Sequence, residues 1–219
     1  MTRADTSSTV RLCLMGAILT TAILVVNRAI AYEGYFRLAG AKATVAEALG
    51  LLSMYLLVLA LPRLPIARYA IMAGLAAAGI EIAHLVQERF LSLPGRSGGF
   101  VTLGFMLATF SCWGWTARRA RLNGASFLAA CGAAAMSAIV SMTITVCFGT
   151  IFEWYIAPVP IESMRGWAEF QRSGWSDLAA FSIAETIDSV TTHLLMAPII
   201  ALIFGAIAAS FVVRRRRRA

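Results

Sequence analysis

The sequence contains no glycine-rich phosphate loop, no Rossmann glycine fingerprint and no serine in a G-x-S-x-G elbow. ATP binding by this chain is therefore not expected. Cysteine is sparse, and Cys13, Cys112, Cys131 and Cys147 all fall inside apolar runs with no C-x-x-C pair. They read as small packing residues, neither a disulfide framework nor metal ligands. Acid is scarce as well, with 11 Asp and Glu against 19 Lys and Arg and a formal net charge of +8. The positive charges stand in short clusters between apolar runs and form no continuous basic face, so no nucleic-acid partner is expected. Anchoring to anionic lipid headgroups, at about 1 kcal/mol per basic residue near the surface, accounts for them.

What the chain has in abundance is apolar surface. It is 219 residues long, 59% hydrophobic, with a mean hydropathy of +0.77. A soluble domain of this size carries an apolar share of about half, so lipid is the expected solvent. Apolar runs at 10–32, 44–61, 68–90, 100–116, 124–155 and 177–213 are each long enough for a crossing of about 20 residues. The connections between them are short and carry Pro62, Pro65, Pro94-Gly95 with Gly98-Gly99, and Asn123-Gly124, which is turn chemistry. The expected fold is an all-α integral membrane protein, a single polytopic domain of about six transmembrane helices. Arg3 and Arg11 before a stretch ending in Ala29-Ile30-Ala31 have part of the layout of a cleavable signal. Asn27 and Arg28 interrupt the approach to that site, and the stretch is long enough to remain a helix.

Charge sets the expected orientation. Five consecutive arginines, 214–218, follow the last apolar run and mark a cytoplasmic helix end. With both termini inside, the cytoplasmic segments hold these five together with Arg3, Arg11, Arg63, Arg68, Arg118, Arg119 and Arg121, twelve of the 19 basic residues. The outer segments keep seven and carry the acids Glu33, Glu162, Glu169 and Asp177, with Glu153 at the border. Trp113 and Trp115 fit an inner aromatic belt, and Trp154, Tyr155, Trp167 and Trp175 an outer one. The last two runs exceed one crossing, so helices 5 and 6 are expected to project beyond the outer face and enclose a loop at 156–176. The distribution suits a bacterial cytoplasmic (inner) membrane.

Helix contacts are expected through small residues, Ala70-Gly74-Ala78 and Ala129-Ala133-Ser137-Ser141, at four-residue spacing. Pro198 is expected to kink the sixth helix, and Thr143 and Thr145 either bond back to their own helix or line a polar space.

The chemistry-bearing residues are fewer. Glu81, His84 and Glu88 lie at i, i+3 and i+7 and share one helix face. Glu185, Asp188 and Thr192 repeat that spacing, with His193 beside Thr192. Both histidines of the chain are thus embedded in acidic helix faces. Ionisable groups within hydrocarbon cost from about 2.5 kcal/mol upwards, so these six residues are expected to face a polar chamber in the outer half of the bundle, where Asn27, Arg28, Glu47 and Glu153 also fall.

Three occupants of such a chamber compete. A small-molecule or ion ligand would be captured by Glu81, Glu88, Glu185 and Asp188, with His84 and His193 as proton-sensitive ligands. A divalent metal would use Glu81, His84, Glu185 and Asp188, since Glu-x-x-His is the spacing by which bundle helices present two ligands to one ion; the second half lacks the matching histidine. A haem would take His84 and His193 as axial ligands, against which their different depths count. The alternative is an interhelical network of ion pairs and hydrogen bonds involving Arg28. The function classes that follow are a solute or ion binding and transport protein, a membrane-embedded metal- or haem-dependent enzyme or redox subunit, and an accessory subunit held to other membrane subunits by its small-residue stripes. Size and helix count resemble the membrane-embedded substrate-binding subunits of vitamin or metal uptake systems, a likeness of architecture that no motif carries.

Overall fold

The computed structural model describes residues 3–32, 34–37, 40–61, 67–91, 95–156 and 164–212. Glu33, Pro62, Arg63, Pro65, Pro94, Glu162 and the arginines at 214–218, all used above, lie outside the described residues. Among those described, every regular element is helical: α1 (Arg3–Ala31), a 3-10 turn (Tyr35–Arg37), α2 (Ala41–Ala60), α3 (Arg68–Leu91), α4 (Gly95–Leu122), α5 (Phe127–Ile151) running on as a π-helical turn (Phe152–Ile156), α6 (Met164–Ser173) and α7 (Leu178–Ser210). Among the described residues, six stretches are long and apolar enough to cross a membrane: Ser8–Ala31, Ala41–Ala60, Arg68–Leu91, Ser97–Leu122, Phe127–Ile156 and Leu178–Ser210. The chain has the make-up of a helical polytopic membrane protein in contact with lipid.

Three elements depart from the sequence reading: α1 begins at Arg3 and not at residue 10, α4 takes in Gly95 and the Gly98-Gly99 pair expected in the preceding turn and also runs on at its C-terminal end, and α6 is new. The fourth helix was expected at 100–116 and extends to Leu122, because Arg118, Arg119 and Arg121 are good helix formers placed at the negative end of the helix dipole. The ten residues of α6 fall where a loop was expected. They are too few to cross a bilayer, so a search for spanning runs passes over them.

The chain packs as two compact units. One comprises Ser8–Leu61 and Val146–Leu195. Its core brings together Val25 and Ala29 of α1, Val45 and Ala48 of α2, and Ala180, Ile183 and Ile187 of α7. Three polar ties join its helices. The Arg11 guanidinium donates to the Leu61 carbonyl at 2.6 Å, meeting a carbonyl at the C-terminus of α2 that has no helical partner. At the other end of α1, the Tyr32 hydroxyl donates to Asp177 Oδ2. Asp177 caps α7, its Oδ1 accepting the backbone N–H groups of Ala179 (2.9 Å) and Ala180 (3.1 Å). The third tie answers Pro198. Proline has no N–H to give the carbonyl four residues back, and the Tyr55 hydroxyl donates to that carbonyl, Leu194 O, at 2.8 Å. The helix runs unbroken through the proline.

The other unit comprises the described residues of Met1–Ser7, Pro62–Thr145 and Met196–Ala219. Here α3, α4, most of α5 and the C-terminal part of α7 pack through small residues. Ala70, Gly74 and Ala78 are all buried, as their spacing suggested. A Cβ on Gly74 would lie 2.7 Å from Val140 Cβ and 2.8 Å from the Ser137 carbonyl, so the backbones of α3 and α5 meet there. Gly205 of α7 similarly meets Ala134 of α5. Trp113 is not an interfacial residue: it is 2% exposed, and its indole N–H donates to Ser141 Oγ at 3.2 Å. A buried indole needs an acceptor, and the small-residue stripe of α5 supplies one. Thr143 bonds back to Ile139 O at 2.8 Å, whereas the Thr145 hydroxyl is buried without a partner among the described residues. All four cysteines are free.

Candidate functional site

Helix α3 presents His84 and Glu88 toward α4, and α4 returns Thr102 and Phe105 to them. His84 Nε2 lies 3.3 Å from Glu88 Oε1 and 3.2 Å from Thr102 Oγ1, and Thr102 Oγ1 lies 3.5 Å from the same Glu88 oxygen. The imidazole is stacked on Phe105, with ring centroids 5.0 Å apart. With Nε2 protonated, imidazole and hydroxyl both donate to one carboxylate oxygen, which holds the His84 ring in a fixed orientation. Its Nδ1 has no partner among the described residues. The His84 side chain is 13% exposed and that of Glu88 58%, so the cluster is a half-buried imidazole with an open carboxylate beside it.

One turn away on the same face stands Glu81. It is half-buried, and it forms no hydrogen bond or ion pair with any described residue. Three residues of helix separate it from His84, a spacing that brings side chains to within about 5–6 Å at Cβ. Glu81 and His84 thus stand one turn apart on one face of α3 within a candidate span.

The second acidic face belongs to the other unit. On α7 the residues turned inward are Ile183, Ile187, Val190 and Leu194, and Glu185, Asp188, Thr192 and His193 are exposed. His193 Nδ1 lies 2.7 Å from the carbonyl of Ser189 on its own helix. A carbonyl can only accept, so Nδ1 is the donor in this bond. Asp188 has no partner among the described residues. Asn27, Arg28 and Glu47 are exposed and Glu153 is half-buried. Arg28 forms no ion pair among the described residues, so the network expected around it gains no support. No group of three or more His, Cys, Asp or Glu that could hold a metal ion is found among the described residues.

No protein family, curated protein or solved structure matches the chain. What the site can do must be read from its own chemistry.

Thr102 and Phe105 were not singled out from the sequence. No spacing links a threonine to a histidine 18 residues earlier on another helix; only the antiparallel packing of α3 against α4 makes them partners. Tyr32 with Asp177, both outside the candidate spans, is a second polar pair that sequence spacing does not signal. The Tyr32 hydroxyl, first, and the Ala180 N–H, second, hold the Asp177 carboxyl below its ordinary value. The same bond pushes the Tyr32 hydroxyl above its ordinary value.

Proposed function

We propose that this chain is a multi-pass protein of a bacterial inner membrane, with both termini cytoplasmic and its fifth and last spanning helices reaching beyond the outer face, that binds or transports a small cationic solute or ion. Glu81 and His84 are the primary ligands, with Glu88 orienting the imidazole. Glu185, Asp188 and His193 on α7 form a second ligand face.

The observation that supports this reading is the unpartnered Glu81. A carboxylate placed in an apolar span is costly unless it is protonated or meets a cation or a hydrogen-bond donor. Structural carboxylates in such positions are paired with protein groups; Glu81 has none among the described residues. It is therefore poised to hold a ligand.

The test couples retention to stability. Glu81→Gln should abolish retention of the small component that native mass spectrometry detects on the wild-type protein. Because no protein partner is lost, stability should change by less than about 0.5 kcal/mol. An unchanged bound component, or a loss of about 3 kcal/mol as expected when a buried pair is broken, would assign Glu81 a structural role.

A second reading is favoured by one observation. Glu185, Asp188 and His193 are exposed on a helix that qualifies as a span. A partner membrane subunit covering that face would shield them from lipid, and an accessory-subunit role follows. Co-purification of a stoichiometric partner that is released by Asp188→Leu would support it.

A further inference from the structure

Between α4 and the C-terminal part of α7, within a single unit, lies an open cavity of about 510 Å³. Its size falls in the range of about 300–1,000 Å³ typical of ligand pockets. The walls are apolar and aromatic: Phe110, Trp115, Phe204, Ile207 and Phe211. At its floor the Gly114 backbone backs on α7, where a Cβ would be in ordinary contact, 3.5 Å, with Ala208 Cβ and the Phe204 carbonyl oxygen. Phe110 and Phe204, with rings 4.8 Å apart, close one end. Arg118 stands at the other, about 12 Å along the helix by the rise of 1.5 Å per residue.

The two helices that line it carry charge of one sign at that end. No acid occurs in α4 from Gly95 to Leu122, and none follows Asp188 in the chain, which continues beyond Val212 into arginines 214–218. Arg118 is exposed and makes no hydrogen bond or ion pair among the described residues. Trp115, one turn before it, is 49% exposed. An exposed tryptophan beside an arginine at the end of a spanning helix marks headgroup level, and the apolar trough runs from there into the hydrocarbon.

We propose that this groove holds one anionic phospholipid, its phosphate on the Arg118 guanidinium and an acyl chain lying over Gly114 toward Phe110 and Phe204. A guanidinium is matched to phosphate by geometry as well as charge, and neither lining helix places a carboxylate near it to compete. The aromatic walls supply the apolar contact for one chain. The net positive field at this end selects anionic over zwitterionic headgroups.

The test uses the full-length chain reconstituted in phosphatidylcholine vesicles that contain a fixed minor fraction of either brominated phosphatidylglycerol or brominated phosphatidylcholine. The Trp115 contribution to fluorescence is taken as the difference between wild type and Trp115→Phe in matched vesicles. Brominated phosphatidylglycerol should quench this contribution at a roughly fivefold lower mole fraction than brominated phosphatidylcholine, the preference expected from one well-placed basic residue. Arg118→Gln should abolish the preference, and Arg118→Lys should retain most of it.

Equal quenching by the two lipids would overturn the proposal. So would a preference that survives Arg118→Gln and vanishes in high salt, which would assign it to diffuse charge such as arginines 214–218. Absence of quenching by either lipid would mean that protein, a second copy of the chain or another subunit, covers the groove. Arg118 is exposed and has no partner among the described residues, so its substitution should leave the helical circular dichroism unchanged. If Arg118→Gln nonetheless misfolds, Ser111→Phe at the exposed rim fills the trough and must itself remove the phosphatidylglycerol preference; its persistence would be equally fatal.

Discussion

The bond from Tyr55 to Leu194 offers the sharpest check on the packing. Tyr55 is 1% exposed, and its hydroxyl meets a carbonyl that Pro198 has deprived of a helical donor. Tyr55→Phe removes the donor and keeps the ring, so the cost is that of one buried acceptor left unsatisfied, about 1–3 kcal/mol in proteins generally. Within membranes, interhelical hydrogen bonds average about 0.6 kcal/mol and reach about 1.7. The expected loss is therefore about 1–1.5 kcal/mol. Pro198→Ala restores an N–H to the helix, and that N–H can serve Leu194 O in place of the tyrosine. In the Pro198→Ala background, Tyr55→Phe should cost about 1 kcal/mol less than in the wild type, a coupling well above the roughly 0.3–0.5 kcal/mol scatter of independent sites. Unfolding of the four proteins in mixed micelles, followed by circular dichroism against mole fraction of dodecyl sulfate, measures all four corners of the cycle. A silent Tyr55→Phe, or the same cost in both backgrounds, would refute the assignment of the hydroxyl to the proline's orphaned carbonyl.

Other expectations follow from the same geometry. Gly74→Ala places a Cβ 2.8 Å from a backbone carbonyl and should cost about 1–3 kcal/mol, whereas Gly79→Ala on the same helix, with nothing within 4 Å, should be neutral or stabilising; the same micelle titration compares them. Asp177 is held below its ordinary value of 3.8, so the stability it contributes is present above that pH and is lost as pH falls below it. Tyr32 is held above its ordinary value of 10.0, so its share is present below that pH and is lost as pH rises past it. Tyr32→Phe should flatten the acid limb of a stability–pH profile; an unchanged limb would mean that the bond does not form in solution. Reporter fusions at the C-terminus and at Arg165 should report opposite sides of the membrane, and two fusions on the same side would defeat the six-crossing topology.

Much of this protein was legible in its sequence. Apolar runs of spanning length located six helices, because lipid requires every crossing backbone to satisfy its own hydrogen bonds. Periodicity placed Glu81, His84 and Glu88 on one face, and small residues at four-residue spacing located the close approach at Gly74, since only a missing side chain lets two backbones meet. Helix α6 escaped because ten residues make no spanning signal. What the sequence could not supply was the rotation of each helix against its neighbours. These helices are apolar on most sides, so no hydrophobic stripe declares which side is inward, and Trp113, read as interfacial, is buried against Ser141. The same packing decided that Thr102 and Phe105 hold His84, that Glu81 is left without a partner among the described residues, and that Tyr55 answers Pro198. Each of these pairs residues distant in the chain, and spacing along one helix carries no information about which side of another it meets.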